Sequence, residues 1–457
     1  MSESEDKTRR LGSAPVGRLF FRLALPAVLA QLVTMANNVV DRVWVGHISG
    51  SGMHSLEAVG LSLPIQYLFV AFIMMIGAGM GPNVSILLGK GRRDEAGRVS
   101  GACFGLALAI NAAVVAVIAL FADGLLLTFG AGDASLPFAR SYLRTIGWGL
   151  PFSNMLLLLM MWLNAQGYVA DGVRLSLISV VINAALDPLF IFVCGLGVGG
   201  AALATNVGAI VALVIGVRKA CRDGRLVRFG FADLVPRAGL WMPSVLLGLA
   251  TGMNTGLESF SLMLVNNSLQ RYGGDVAVAA LSLFAVLSLV LVSLDLGLSM
   301  GAQPIVSYNY GSGRLDRVRT ANRYFIGTSF ACSFALWAVV MVDPAAVWRC
   351  FTSDGGLIGY AADKSRMYFS MLLLTGIQYA HLYIARFLGK VKISIFLGVL
   401  KRLILLLPLI FVLPAVLPGD KATSVLMAAP VTDAAAFLLT AVCYFFMMRG
   451  VFAKGVK

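Results

Sequence analysis

Residues 79–94 read GMGPNVSILLGKGRRD, and residues 301–316 read GAQPIVSYNYGSGRLD. At an offset of 222 the two segments agree at eight of sixteen positions, and glycines and a proline are among them. In the first segment the agreeing residues are Gly79, Pro82, Val84, Ser85, Gly89, Gly91, Arg92 and Asp94. A second register, offset by 217, superposes Pro26 on Pro243, Asn37 on Asn254 and Asp41 on Glu258. The chain is therefore predicted to consist of two homologous halves.

The composition excludes a soluble protein. Of the 457 residues, 59% are hydrophobic and 13% are charged, and a soluble fold of this length cannot bury that much apolar surface. Apolar stretches long enough for a bilayer, roughly 20 residues each, lie near 17–45, 56–88, 99–121, 137–164, 173–195, 199–220, 238–270, 276–308, 320–346, 359–388, 392–416 and 424–448. Because a helix satisfies its own backbone polar groups inside lipid, we predict an all-α integral membrane protein with about twelve transmembrane helices. The halves are predicted to be 1–228 and 229–457, with about six spans each.

The net charge of +14 is distributed in alternate loops. Lys and Arg cluster in 90–98, 218–228, 314–323 and 386–392, whereas 46–55 and 194–199 contain none. This asymmetry is the positive-inside pattern of membrane proteins. It predicts a multi-pass protein of the plasma (cell inner) membrane with both termini in the cytoplasm, and it argues against a nucleic-acid partner. With an even number of spans in each half, the repeat is parallel.

No pattern in the sequence indicates an enzyme or a cofactor. Gly89-Lys90-Gly91 resembles a phosphate-binding loop only superficially, because no strand precedes it and no GK[ST] follows. The three histidines and six cysteines show no metal-ligand spacing. We therefore expect a protein that is not an enzyme, has no cofactor, and takes the energy for any transport from an ion gradient.

Two acids in apolar helices of the first half predict a site for that ion. Asp41 lies toward the far end of the first span, and Asp187 lies past the middle of the fifth, with Asn183 one turn away on the same helix face. Pro188 follows the acid and removes a backbone hydrogen bond. Carboxylates in a low dielectric need a proton or a metal cation, so Asp41, Asn183 and Asp187 predict a proton or Na⁺ site. The alternatives are an interfacial Asp41 paired with Arg42, and a structural polar contact between helices.

The second half has diverged at the matching positions. At an offset of 220, Pro188 falls on Pro408 but Asp187 falls on Leu407. Glu258 stands in an apolar helix, where it either binds a cationic substrate or a second ion, or pairs with Arg402. Lys401 either extends toward the cytoplasm or pairs with Glu258. Asp295 receives no assignment.

Three groups of motifs resemble the multidrug and toxic compound extrusion (MATE) family of transporters. They are LP at 25–26 with VD at 40–41 and VG at 45–46; Asn183 with LDPLFIF at 186–192 and GGAALAT at 199–205; and QPIVSYNYG at 303–311. Together they cover nearly the whole chain in the family's order. The resemblance implies two pseudo-symmetric six-helix lobes that form a V and open alternately to each side. It also implies the export of drugs or organic cations in exchange for H⁺ or Na⁺.

The resemblance also assigns residues. In the family's amino-lobe ion site the positions correspond to Asp41, Asn183, Asp187 and Thr205, which would be the only ligands of a bound Na⁺. The carboxyl-lobe acid of helix seven corresponds to Glu258. Two departures are found. Asn37 and Asn38 stand where some members have aromatic residues near the first-helix Asp. The tenth-helix acid of some Na⁺-coupled members has no match here, and Gln378 lies in that stretch. We place Asn37, Glu258, Gln378 and Arg402 in a substrate or second-lobe polar set.

The expected function is a secondary multidrug exporter that works as a monomer in the lipid bilayer on small-molecule drugs or organic cations. One alternative is a flippase for a lipid-linked or amphipathic substrate. Another is an integral-membrane enzyme that modifies lipids, although no cluster of catalytic residues supports it.

Overall fold

A computed structural model describes Thr8 and residues 10–48, 52–128, 136–222, 227–352 and 354–454, which are helical almost throughout. The helices of the first half are α1 (Val16–Gly46), α2 (Gly52–Gly89), α3 (Arg93–Thr128), α4 (Leu136–Ala165), α5 (Val169–Pro188) and α6 (Gly197–Arg222). A π-helix, Leu189–Val193, continues α5 beyond Pro188. Five of these six helices have at least 26 residues. The exception is α5, which reaches 25 residues when its π-helical extension is included.

The second half opens with α7 (Ala238–Gly311), a helical stretch of 74 residues. A straight helix of that length would measure about 110 Å, more than three times the hydrocarbon thickness of a bilayer. Gly274, with φ 64° and ψ −162°, divides it into two arms. A positive φ of this kind favours glycine, which has no β-carbon to clash. The two arms correspond to the spans predicted at 238–270 and 276–308.

The remaining helices complete the second half. They are α8 (Leu315–Val342), α9 (Pro344–Arg349), α10 (Gly355–Tyr368), α11 (Leu372–Phe387), α12 (Val391–Val399), α13 (Leu407–Val416) and α14 (Lys421–Lys454). A π-helix, Leu400–Leu406, joins α12 to α13. Ten helices of the described residues are long and apolar enough to cross a membrane. Because α7 crosses twice and α10 and α11 together make a further pass, the expected all-α fold of about twelve spans in two lobes is confirmed.

The repeat register reappears in the packing of the lobes. Ser85 donates to the carbonyl oxygen of Ala165 at 2.6 Å, and Ser307, 222 positions later, donates to that of Phe387 at 2.8 Å. Phe387 itself is 222 positions after Ala165, so the offset that aligns the sequence also aligns both partners of the hydrogen bond. The two halves are thus related by a pseudo-twofold axis.

Glycines bring the two halves into backbone contact around this axis. A β-carbon on Gly89 would overlap the carbonyl oxygen of Tyr308, and one on Gly311 would overlap that of Ile86. Gly79 likewise lies against the carbonyl of Ser244. These contacts lie along α2 and α7, and they close the molecule at the end where both helices terminate.

The segment between the halves packs on the first half. Gly97, Gly101 and Gly105 of α3 leave room for the backbone of Arg228 and Leu234 and for Asp233. The sequence indicates a linker here, and the structure shows it lying against α3. The lobe boundary at 228 and 229 stays a prediction.

Candidate ion site and interlobe cleft

Three helices of the first half converge on one polar cluster. On α1, Asn37 and Asp41 are one turn apart, and on α5, Asn183 and Asp187 have the same spacing. Residues four apart share a face of a helix, so each helix presents an amide and a carboxyl to the other. Thr205 of α6 supplies a hydroxyl from a third side. We call Asn37, Asp41, Asn183, Asp187 and Thr205 the amide–carboxyl cluster.

The two asparagines connect the acids. Asn37 Nδ2 lies 3.1 and 3.2 Å from the two carboxylate oxygens of Asp41, and it donates to Asn183 Oδ1 at 2.8 Å. Asn183 Nδ2 lies 3.3 Å from Asp187 Oδ1 and 3.2 Å from Thr205 Oγ1. Thr205 donates in turn to the carbonyl oxygen of Ala201 at 3.1 Å. Asn37 was assigned to the polar set of the substrate or second lobe, but the structure places it at the centre of this cluster.

The carboxyl groups of Asp41 and Asp187 lie side by side, close enough to share a hydrogen bond. The Asp187 side chain is 0% exposed, and its Oδ2 has no hydrogen-bond partner. Among the described residues, no basic side chain pairs with either carboxyl. A carboxyl pair of which one member is fully buried and no counter-charge is present is costly unless a proton or cation joins it. The oxygen ligands present suit either H⁺ or Na⁺.

The backbone changes form next to this cluster. After Pro188, which lacks an N–H, the chain makes the five-residue π-helix instead of continuing as an α-helix. Single turns of π-helix are rare and often accompany functional sites. The proline predicts the loss of a backbone hydrogen bond at this point of α5, but it does not predict a π-helix.

The second half carries cations at the comparable place. Arg402 Nε donates to Asn254 Oδ1 at 3.2 Å, and Lys401 Nζ lies 2.6 Å from Asp433 Oδ1. The expected alternatives for Lys401, extension toward the cytoplasm or a pair with Glu258, both missed Asp433. The sequence did carry a signal for this pair, because Asp433 is an acid within the apolar helix α14.

Two other members of the polar set remain without a role. The side chain of Glu258 lies outside the described residues, so its expected pairing with Arg402 stays a prediction. Gln378 is buried in α11, and its Oε1 has no partner.

A cleft of about 800 Å³ of open space lies between the two halves. Its walls come from α1, α2, α4 and α5 of the first half and from α7 and α11 of the second. Met74, Met160, Met161 and Met300 supply much of its apolar lining. Arg386, which the sequence placed in a cluster of loop charges, also lines the cleft.

The MatE family model matches residues 26–189 and 246–412, which together are most of the chain and one segment in each half. The chain belongs to the MatE family. The match places this protein among the MATE transporters, as the sequence motifs indicated, and the two matched segments agree with the duplication.

Curated relatives match over nearly their full length. The multidrug export protein MepA of Staphylococcus aureus (strain MRSA252) is 24% identical over 407 residues, which are 88% of either chain. The protein of the same name from Staphylococcus haemolyticus (strain JCSC1435) is 24% identical over 397 residues, covering 87% of this chain and 86% of that one.

Solved MATE structures share the fold. An outward-facing multidrug resistance MATE transporter superposes with a TM-score of 0.89 at 19% identity, covering 99% of both chains. A MATE structure in a bent conformation gives 0.89 at 20% identity over 99% of both chains. A transporter from Pyrococcus furiosus, described as having a binding pocket of reversed polarity, gives 0.84 at 21% identity over 95% of this chain and 97% of that one.

Proposed function

We propose that this MATE transporter exports small organic compounds, organic cations among them, in exchange for H⁺ or Na⁺, and that the amide–carboxyl cluster binds the coupling ion. The single observation that carries the proposal is the carboxyl pair of half-buried Asp41 and buried Asp187, in which Asp187 Oδ2 has no partner. Two acids held together inside a membrane protein are expensive unless their charge is relieved in each cycle. The names of the MepA relatives support multidrug compounds as the exported class.

The cluster can couple an ion to the shape of α1. Asp41 and Asn37 belong to α1, which contains Pro26, whereas Asn183 and Asp187 belong to α5. A proton or Na⁺ on the carboxyl pair removes their repulsion and draws the two helices together. Loss of the ion separates them, and Pro26 supplies a point where α1 can bend. Alternate binding of ion and compound then follows from their differential affinity for the two shapes.

The orientation and assembly complete the proposal. The protein acts as a monomer in the plasma (cell inner) membrane, and the alternate loop charges support the cytoplasmic location of both termini. In that orientation the closed end of the lobes, at Gly89 and Gly311, is the cytoplasmic end, and the cleft opens outward.

Transport into inverted membrane vesicles tests the function. Ethidium uptake is measured with a pH gradient alone and then with a Na⁺ gradient alone. The proposal expects one gradient to drive uptake and the Asp187→Asn variant, at equal protein level, to remove it. Uptake that follows neither gradient contradicts ion exchange. Movement of a fluorescent lipid between leaflets, with no ethidium uptake, would favour the flippase instead.

A further inference from the structure

Arg386 is the one charged side chain among the described residues that line the interlobe cleft. It lies near the end of α11, within a wall that is otherwise apolar or uncharged. No acid appears among the described lining residues, so the guanidinium has no carboxylate partner there. The cleft therefore has a fixed positive charge.

The hydrogen bonds of Arg386 leave it under-satisfied. Nη1 donates to the hydroxyl of Thr251 at 2.6 Å, whereas Nε is sealed from solvent without a partner. Nη2 makes no hydrogen bond with the described residues. A guanidinium carries five N–H donors and matches carboxylate or phosphate oxygens in a planar fork. One neutral hydroxyl is a small share of what this group can bind.

Aromatic rings hold the guanidinium in place instead of an acid. Its central carbon lies 4.8 Å from the ring centroid of Tyr383 and 5.8 Å from that of Phe387. Contacts of this kind orient an arginine and stabilise its charge, and they leave the N–H groups of Nη2 for an anion.

The repeat shows that this charge is specific to one half. The position 222 residues earlier is Asn164, which also lines the cleft and donates to Gln303 Oε1 at 3.1 Å. The two matched positions thus face the same space, one with a neutral amide and the other with a cation. If this position only packed against its neighbours, a neutral side chain would serve in both halves, as Asn164 does in the first. The positive charge of Arg386 is therefore better explained by a ligand.

We propose that the cleft binds amphipathic compounds through an acid group, a carboxylate or a phosphate, held by Arg386, with their apolar body against the methionines. This inference adds a second substrate class, acids, to the organic cations of the proposed function, and it rests on the protein being an exporter. Met74, Met160 and Met300 give the cleft an adaptable apolar wall. An apolar lining with a few placed polar groups is the usual design of a small-molecule pocket, and Arg386 is the charged one of those groups among the described lining residues.

A matched pair of fluorescent compounds tests the proposal on purified protein. Pyrenebutyric acid and its methyl ester have the same apolar body and differ in the charge. We expect the acid to bind wild-type protein more tightly than the ester, and Arg386→Gln to weaken the acid about tenfold while changing the ester little, as loss of a charge-assisted hydrogen bond predicts. Arg386→Lys should retain part of the affinity because it keeps the charge but not the planar fork.

Lys390→Gln is the matched control, because it removes a positive charge that does not line the cleft. Equal losses in Arg386→Gln and Lys390→Gln, or equal losses for acid and ester, overturn the proposal. If Arg386→Gln does not fold, the wild-type comparison decides, since an ester that binds as tightly as the acid also overturns it. The binding measurement needs no ion gradient. The acid-binding proposal can therefore fail while ion-driven transport is observed, and ion-driven transport can be absent while acid binding is observed.

Nanodiscs separate the two sources of such a group. The binding of pyrenebutyric acid is compared in phosphatidylglycerol and phosphatidylcholine discs. If wild-type protein binds the acid more weakly in phosphatidylglycerol and Arg386→Gln does not, a lipid headgroup occupies the anion site. Equal binding in both lipids supports a soluble acid. In Arg386→Gln, neither lipid should change the binding, and a lipid effect that persists in this variant contradicts the site.

Discussion

The two halves of the molecule use the same scaffold with opposite charges. In the first half, Asn37 of α1 bonds to Asn183 of α5, and the two amides hold a pair of acids. In the second half, Asn254, which matches Asn37 at an offset of 217, accepts a hydrogen bond from Arg402. The first helix of each half therefore presents an asparagine to the fifth helix of the same half. The partner of this asparagine is the amide of Asn183, next to two acids, in the first half, and the guanidinium of Arg402 in the second half.

This difference shows how a duplicated fold can assign separate roles to its halves. A carboxyl pair without a fixed cation can accept an ion and release it, because the ion is free to leave. In the second half Arg402 and Lys401 are covalently attached cations, and Lys401 is already paired with Asp433. A built-in cation stabilises one arrangement permanently. We therefore expect the first half to exchange ions and the second half to hold its shape.

The largest expected effect separates the acids of the two halves. Asp41→Asn and Asp187→Asn should each reduce ion-driven ethidium export to background, because an amide cannot exchange a proton or replace the carboxylate charge for Na⁺. Asp433→Asn should retain export per folded molecule. Vesicle transport normalised to protein level measures all three. Wild-type export in both first-half variants, or background export in Asp433→Asn, would reverse the assignment of roles.

The next effect concerns the ion pair of the second half. Lys401→Met leaves Asp433, whose side chain is only 16% exposed, without its partner and should cost about 3 kcal/mol of unfolding free energy, because a largely buried unpaired charge is strongly unfavourable. The double variant Lys401→Met/Asp433→Leu should recover most of that loss. Unfolding in mixed detergent micelles measures both.

An exposed pair in the first half is the control for this comparison. Arg140 lies 2.6 Å from Asp123, with exposed side-chain fractions of 42% and 41%. Arg140→Met should cost less than about 1 kcal/mol, since solvent screens the pair. Similar costs for Arg140→Met and Lys401→Met would argue against a structural role for the buried pair.

A smaller effect tests whether the lobes meet symmetrically. Gly79→Ala would press a methyl group on the Ser244 carbonyl, and Gly301→Ala, at the matching position, would press one on Ala24. Each should destabilise the closed end by about 2 kcal/mol, the usual cost of overpacking. Thermal unfolding measures the loss, and Gly327→Ala, which meets nothing within 4 Å, should be neutral or slightly stabilising. Unequal losses at Gly79 and Gly301 would show that the pseudo-symmetry does not extend to the energetics.

The smallest effect distinguishes two matched serines. Ser307→Ala removes one hydrogen bond and should cost about 0.6 kcal/mol, a typical value inside membranes. Ser85→Ala should cost more, because Ser85 also accepts a hydrogen bond from Gln303 Nε2 at 3.0 Å. The difference between their unfolding free energies reports that interlobe bond. Equal costs would mean that Gln303 contributes nothing measurable.

The sequence predicts the features that repeat or that depend on one helix. The 222 offset matches Ser85 with Ser307, which make equivalent hydrogen bonds in the structure, and helical spacing predicts that Asn183 and Asp187 share a face. Contacts between distant helices do not follow from local periodicity, because they depend on how helices rotate about their axes. For that reason the central place of Asn37 and the partner of Lys401 were missed.

The sequence also did not show whether a charged residue near the end of a predicted helix lies in a loop or faces the interior. Arg386 stands close to Lys390 and Lys392 in sequence, and all three fit a cytoplasmic cluster. Only the packing of α11 shows that Arg386 faces the cleft. The π-helices at Leu189–Val193 and Leu400–Leu406 lie near matching prolines, Pro188 and Pro408, and proline alone does not distinguish a kink from a π-helix.

The reciprocal overlap of Gly89 with Tyr308 and of Gly311 with Ile86 has the form of an isologous interface, in which one patch binds its own copy. A half-length ancestor with this patch would have assembled as a homodimer before its gene was fused. After fusion each copy can change alone, and the two sides now carry an acid pair and an arginine. The glycines on the shared patch have less freedom, because a side chain added on either side would meet the backbone of the other.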